Sequence, residues 1–298
     1  GTASLPHVMM RYFTTPSVRT ARRSVGWSLF FIFLLYSSAP MLATLSKISL
    51  MDPNLATGII GKSITEVQAL DWYQNWNQAK LMFVSDFNGN GTLELNEFFM
   101  KGSAVVLATP EIAGLPYVIS GLVAAGGMAA AMSTADGLVL AISNALSHDV
   151  YYKIINPKAE TAKRLIVARV LLVLIGFAGA TIAALEIQGI LGSVIWAFDF
   201  AMSGLFFPLV LGVWWKRANA PGAVAGMLLG LISGTAYLVW VRSGGSGFLG
   251  ITQLTFGIVG ASVSLVSMIV VSLITAAPDA ATQKMVDDVR VPSGKTIL

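Results

Sequence analysis

Long uncharged apolar stretches alternate with short charged segments along this chain, at residues 24–46, 112–135, 170–185, 187–198, 218–241 and 243–278. A helix needs about 20 mainly apolar residues to cross roughly 30 Å of hydrocarbon, so the pattern predicts about six membrane spans. Arg169 stands near the start of the third, where a long basic side chain can reach the headgroups, and that span is read over 165–185. Asp199 interrupts a fourth that otherwise continues to Trp215. The last stretch is too long for one crossing; Gly244, Gly245 and Gly247 predict a loop, with the span beginning near Thr252. The expected fold is an all-α integral membrane protein. Residues 1–46 hold the first full span, 47–111 a large loop, 112–276 five further spans, and 277–298 a polar tail.

Composition agrees with lipid as the solvent. Of 298 residues 55% are hydrophobic and 11% charged, against about 25% charged in soluble domains. With no cysteine, a disulfide framework and a thiolate metal site are excluded. The net charge of +4 is spread between apolar helices and is no nucleic-acid surface. Lys and Arg in short loops stay cytoplasmic. Arg11, Arg19, Arg22 and Arg23 precede the first span, Lys153, Lys158, Lys163 and Arg164 follow the second, Lys216 and Arg217 the fourth, and Lys284, Arg290 and Lys295 the sixth. Both ends are therefore expected inside a plasma (inner) membrane, with 47–111 outside. A chain that starts at Gly1 reads as part of a longer protein whose amino-terminal half is missing.

The large loop carries the sharpest local motif. Residues 86–97, DFNGNGTLELNE, match the calcium-loop pattern D-x-[DN]-x-[DN]-G-x5-E. Ca²⁺ takes six to eight oxygens in a curled loop. Asp86, Asn88 and Asn90 would supply the first three, Thr92 a backbone carbonyl, Glu94 a contact through water and Glu97 a bidentate carboxylate. Gly91 provides the turn, and Leu93 ties the loop to its surroundings. Segments 63–84 and 95–101 have helical character, as an EF-hand requires. A solvated Asn/Gly turn is the bland alternative.

The region 112–153 is rich in Gly, Ala and Ser, which lets membrane helices approach closely. Ser133 and Thr134 follow Ala130 by three and four positions, so a carbonyl and two hydroxyls share one helix face. Such hydroxyls can present hard oxygens to a cation, or bond the i−4 carbonyl. His7 and His148, lacking neighbouring ligands, are expected to be hydrogen-bonding groups at helix ends.

GTASLPHVMMRYFT at 1–14, AAAMSTADGLVLAISNALSHDVYYK at 129–153 and FPLVLGVWWKRANAPGAVAGM at 207–227 together resemble the sodium:solute symporter family, in particular its cation/acetate branch. The resemblance implies the LeuT-type core of inverted repeats, with ion and substrate beside broken helices at mid-membrane. It makes 1–14 the end of a core helix. It implies Na⁺ as coupling ion, held in part by Ala130, Ser133 and Thr134, and a small organic anion such as acetate or another monocarboxylate as substrate. Asp136 would relay the cation inward or cap a hydrated vestibule. Asp199 departs from the acetate-symporter pattern; an intramembrane acid is a functional candidate, on the ion path or facing a vestibule. The calcium loop is not a general feature of the family.

Enzyme signatures are missing: no G-x-S-x-G elbow, phosphate loop or paired helical histidines occurs. The expectation is secondary active transport. The competing class is a calcium-responsive membrane sensor or receptor, which the short tail without a signalling domain disfavours.

Overall fold

The computed structural model describes residues 1–185 and 187–290. Tail residues 291–298, Lys295 among them, lie outside the described residues. The helices are α1 (Pro6–Met9), α2 (Val18–Met51), α3 (Ile64–Gln68), α4 (Asp71–Gln78), α5 (Val105–Ile112), α6 (Tyr117–Asn144), α7 (Thr161–Ala184), α8 (Ile190–Ala201), α9 (Phe207–Trp214), α10 (Ala220–Arg242), α11 (Gly257–Ile274) and α12 (Ala280–Arg290). Strands β1 (Met82–Val84) and β2 (Phe98–Met100) form an antiparallel ribbon with Phe83 opposite Phe99. Among the described residues six helices are long and apolar enough to cross a membrane: Val18–Met51, Tyr117–Ile155, Thr161–Ala184, Ile190–Trp214, Ala220–Arg242 and Gly257–Ile274.

The six expected spans are present with shifted limits. The apolar run at 112–135 does not start one helix: α5 ends at Ile112, and α6 begins at Tyr117 after Gly114 turns with φ +66°. Pro116 precedes α6 and bars the residue before it from the helical region. The last span begins at Gly257 rather than near Thr252, because residues 248–250 form a 3-10 turn and 252–255 a hydrogen-bonded turn.

The contact pattern divides the chain into two compact units, residues 23–135 and residues 1–22 with 136–298. In the first, a small domain between α2 and α6 has its own core. Leu50, 2% exposed at the end of α2, packs with Ile59, Ile64, Val67, Tyr73, Met82, Leu93, Ala108 and Ile112. Each large apolar side chain buried in this way contributes about 1.5–3 kcal/mol. Polar ties close the domain: Trp76 Nε1 donates to Glu111 Oε2 at 3.0 Å, and Val84 N donates to the Tyr73 hydroxyl at 3.1 Å.

In the second unit, α10 and α11 pack along a stripe of small residues. Gly222, Gly226, Gly230 and Gly234 recur every four positions on α10 and are buried with Gly260, Ser264, Met268 and Ser272 of α11. Without apolar solvent pressure between membrane helices, such close approach and the dispersion contacts it permits hold the pair together. A Cβ at Gly230 would lie 2.8 Å from Ser264 Cβ and overlap the Ser203 carbonyl.

Helix ends are closed by side chains. Asn219 Oδ1 accepts from Gly222 N at 3.0 Å, capping α10, while its Nδ2 donates to Thr275 Oγ1 at 2.7 Å and Ala276 O at 2.8 Å past the end of α11. Arg217 Nη2 donates to Thr275 O at 2.6 Å and Leu273 O at 3.2 Å. Between α8 and α9 the chain widens into a π turn, Met202–Phe206. Pro208, two residues into α9's start, has no N–H and its ring would crowd the carbonyl of Gly204 in a regular helix.

Two outcomes are expected. Gly230→Leu overpacks the α10–α11 seam and lowers unfolding free energy by about 1–3 kcal/mol, read as an earlier midpoint in detergent-induced unfolding. Gly212→Ala, where a Cβ meets nothing within 4 Å, leaves the midpoint unchanged. At the tail, Lys216 Nζ lies 2.7 Å from Asp287 Oδ2, and Arg290 pairs with the other carboxylate oxygen at 3.0 Å. The Lys216 hydrogen bond and charge, helped by Arg290, hold the Asp287 carboxyl below its ordinary range. A folded pKa below the unfolded one gives stability that is complete above the unfolded value and lost as pH falls through the folded value. A spin label at Gln283 should therefore report an immobile α12 from neutrality to about pH 4, loosening only below it; Asp287→Asn should be loose throughout.

Candidate functional site

Ala130, Ser133 and Thr134 lie on α6, all three exposed. Thr134 Oγ1 donates to Ala130 O at 3.3 Å, so the carbonyl and one hydroxyl expected to face an ion stand within one helical turn of each other. Thr134 bonds the i−4 carbonyl, the alternative use of such a hydroxyl in a membrane helix. At 3.3 Å that bond is near the long end of hydrogen-bond range. The arrangement can offer a small cation three neutral oxygens from one helix face.

Within the other unit, the amino-terminal segment docks on α6 just beyond this turn. Gly137, next to the exposed Asp136, makes the approach possible: a Cβ there would lie 3.4 Å from Arg11 Nη2 and 3.8 Å from His7 Cβ. His7 Nδ1 is buried with no partner among the described residues. Burial, and after it the Arg11 guanidinium, lower the His7 pKa from its ordinary value. The segment is also pinned to α8: Ser4, fully buried, donates from Oγ to Ala201 O at 3.2 Å. Sequence reasoning marked 1–14 and 129–153 separately and missed this packing; the small residues of GTAS and the glycine of TADG were its available signal. His148 lies not at a helix end but inside the π-helical segment Ala145–Ile155 that continues α6, with Nδ1 3.1 Å from Asp149 Oδ1, and Lys153 Nζ lies 3.0 Å from the same oxygen.

Asp199 is half-buried in α8 against the first turn of α11. The Gly257 backbone N–H faces its carboxylate, and a Cβ at Gly257 would come within 2.8 Å of Asp199 Oδ1. Its other oxygen, Oδ2, is buried without a partner among the described residues. Trp196, one turn earlier, donates from Nε1 to Gln253 O at 2.8 Å, so α8 holds the loop that leads into α11. Asp199 and the Ala130–Thr134 turn belong to different compact units.

The 86–97 loop adopts the expected tight turn but not the expected frame. Gly89 and Gly91 take φ +71° and +69°. Asp86 Oδ1 and Oδ2 accept from Gly89 N at 2.7 Å and Gly91 N at 3.0 Å; Asn88 and Asn90 oxygens accept from Asn90 N and Thr92 N. Leu93, fully buried, exchanges backbone bonds with Gly61 and Lys62, as its tying role requires. Glu97 is also fully buried, its oxygens taken by Phe87 N at 2.9 Å and Glu94 N at 3.0 Å.

Of the flanks expected to be helical, 63–84 does hold the short helices α3 and α4 but meets the loop through β1, and 95–101 is a 3-10 turn, Leu95–Glu97, followed by β2. Aromatic and β-branched residues at 82–84 and 98–100 pair across the ribbon, a non-local choice that helical character in each flank alone does not register. Glu94 Oε1 takes the Asn88 and Asn90 side-chain amides at 3.0 and 3.1 Å. Among the described residues no three His, Cys, Asp or Glu side chains converge into a group that could hold a metal.

Six apolar spans, one carrying an acid and another a hydroxyl-bearing turn among Gly and Ala, mark a multi-pass α-helical membrane protein. Residues 101–230 match the sodium:solute symporter family, a family of transporters rather than enzymes. An "uncharacterized symporter" of Cupriavidus necator is 41% identical over 92% of this chain and 41% of its own length. A monocarboxylic acid transporter of Corynebacterium glutamicum is 27% identical over 78% of this chain and 35% of its own. The sodium/proline symporter of Escherichia coli is 31% identical over 61% of this chain and 33% of its own. The chain thus spans about two-fifths or less of these relatives. The matched family segment contains Ala130, Ser133, Thr134, Asp136 and Asp199; residues 86–97 fall outside it.

Proposed function

We propose that this chain is the carboxyl-terminal part of a sodium-coupled symporter for a small organic anion, acetate or another monocarboxylate. The observation that carries the reading is the Ala130–Ser133–Thr134 turn, which lies inside the symporter-matched segment and presents a carbonyl and two hydroxyls on one exposed face. Hard, neutral oxygens suit Na⁺, and a turn in a close-packing helix can give them up or reclaim them as the bundle rocks. The name of the Corynebacterium relative, a monocarboxylic acid transporter, supports the substrate class; that of the Escherichia coli relative, a sodium/proline symporter, supports the coupling ion. In this reading the core is LeuT-type, both ends of the chain face the cytoplasm, the 47–111 loop faces outward, and the rest of the ion and substrate site comes from an amino-terminal portion of the full protein. Asp136 and Asp199 are assigned as the candidate ion-path acids of this reading.

The finer part of the proposal is that the 86–97 loop binds Ca²⁺. Every specified motif position is filled, and the two glycine turns curl the loop as a calcium site requires. To close around the ion, Asp86, Glu94 and Glu97 would exchange the backbone and amide donors they now hold for the cation. The ribbon frame suits a structural role.

In proteoliposomes containing the full-length protein, radiolabelled acetate uptake should require an inward sodium gradient. Ser133→Ala and Thr134→Ala should each weaken the sodium dependence by about tenfold, on the order of 1.4 kcal/mol. Uptake indifferent to both substitutions would remove the sodium assignment. Calorimetric titration should give a calcium dissociation constant on the order of 0.1–1 mM, abolished by Glu97→Gln. Heat unchanged by that substitution would remove the calcium assignment and leave symport standing.

A further inference from the structure

The small domain between α2 and α6 contains a cleft of about 400 Å³ that holds none of the sodium-turn residues and touches the 86–97 loop only through Leu95, which is not among its expected calcium ligands. Its walls come from the last turn of α2, the 59–60 segment, Leu95, β2 and the start of α5, and all of them lie in one compact unit. The lining is apolar, including Met51, Ile60, Leu95, Met100 and Val105, with one ionisable side chain, Lys47, among the lining residues. Lys47 is exposed and takes part in none of the ion pairs among the described residues.

This is the composition of a small-molecule site: a concave, mainly apolar space of some 300–1,000 Å³ with few polar groups that fix orientation. The core beneath it is well filled, since Leu50 and Ile59, which also line it, are 2% and 1% exposed. The cleft is therefore a surface feature built on a packed floor rather than a packing defect. One cation at the rim of an apolar space selects a ligand with one negative charge and a hydrocarbon body. A dianion would leave a charge uncompensated against apolar walls, and a cation would meet Lys47 as a like charge.

We propose that this cleft binds a free amphiphilic monocarboxylate, its hydrocarbon end against Met100 and Val105 and its carboxylate on Lys47 Nζ. The site does not depend on the symport reading, since it lies outside the membrane helices' ion-binding turn and would bind ligand whether or not the protein transports it.

The test is binding of 6,6,6-trifluorohexanoate, followed by ¹⁹F NMR, to the full-length protein in nanodiscs of zwitterionic lipid, with empty nanodiscs subtracted. Saturable binding is expected, displaced by hexanoate and about tenfold less well by neutral hexanamide. Lys47→Met should remove the preference for hexanoate over hexanamide while leaving hexanamide binding in place. Leu95→Trp, which fills the rim at an exposed position, should abolish both. Equal displacement by the two competitors, binding untouched by Leu95→Trp, or no saturable binding would overturn the proposal. So would loss of the signal when an anionic lipid is added to the disc, because the occupant would then be a lipid headgroup.

Discussion

A backbone amide or carbonyl in hydrocarbon has no water to turn to, and the rest of this structure follows from that constraint. It makes the spans helical and it makes their interruptions costly, and several interruptions are answered by a specific donor or acceptor. Where α10 begins and α11 ends, Asn219 and Arg217 supply those partners together. Where the chain enters α11, Asp199 and Trp196 of α8 reach the Gly257 amide and the Gln253 carbonyl. Where Pro208 forbids a regular turn, the backbone widens at 202–206 instead of breaking. Four polar side chains in this largely apolar sequence, Asn219, Arg217, Asp199 and Trp196, thus service helix ends.

That correspondence decides how much could be read from the sequence. Span number and approximate place were legible because they depend on local apolarity over about 20 residues. The limits at 112–117 and 252–257 were not, since apolarity does not record where a helix bends; Pro116 and the turn at Thr252–Thr255 do, and they are weaker marks. The β1–β2 ribbon was illegible for a different reason. Phe83 meets Phe99 across sixteen residues of chain, and a motif written for a helix–loop–helix frame gave no cause to look for that pairing.

For the candidate site, spacing placed Ala130, Ser133 and Thr134 on one helix face, and the Thr134 hydroxyl meets the Ala130 carbonyl there. The loop's backbone turns were equally local and followed from Asx and Gly chemistry at 86–91. What spacing could not give was that its carboxylates stay apart, each taken by a competing donor close by in the same loop. Nor could it show that Gly137 admits Arg11 and His7, a contact between segments far apart in the chain. The environment of Asp199 was hidden for the same reason: its neighbours are supplied by α11, almost sixty residues on.

The core of the small domain includes Leu50, which belongs to a membrane helix, and Ala108 and Ile112, which belong to the helix leading back toward the next one. The domain is therefore no cassette that could be lifted out or grafted elsewhere with its fold intact. Removing residues 52–104 would strip Leu50 of Ile59, Val67 and Leu93 and leave an apolar helix tip in water. A version of this chain with a shorter connection would need other residues to roof that tip.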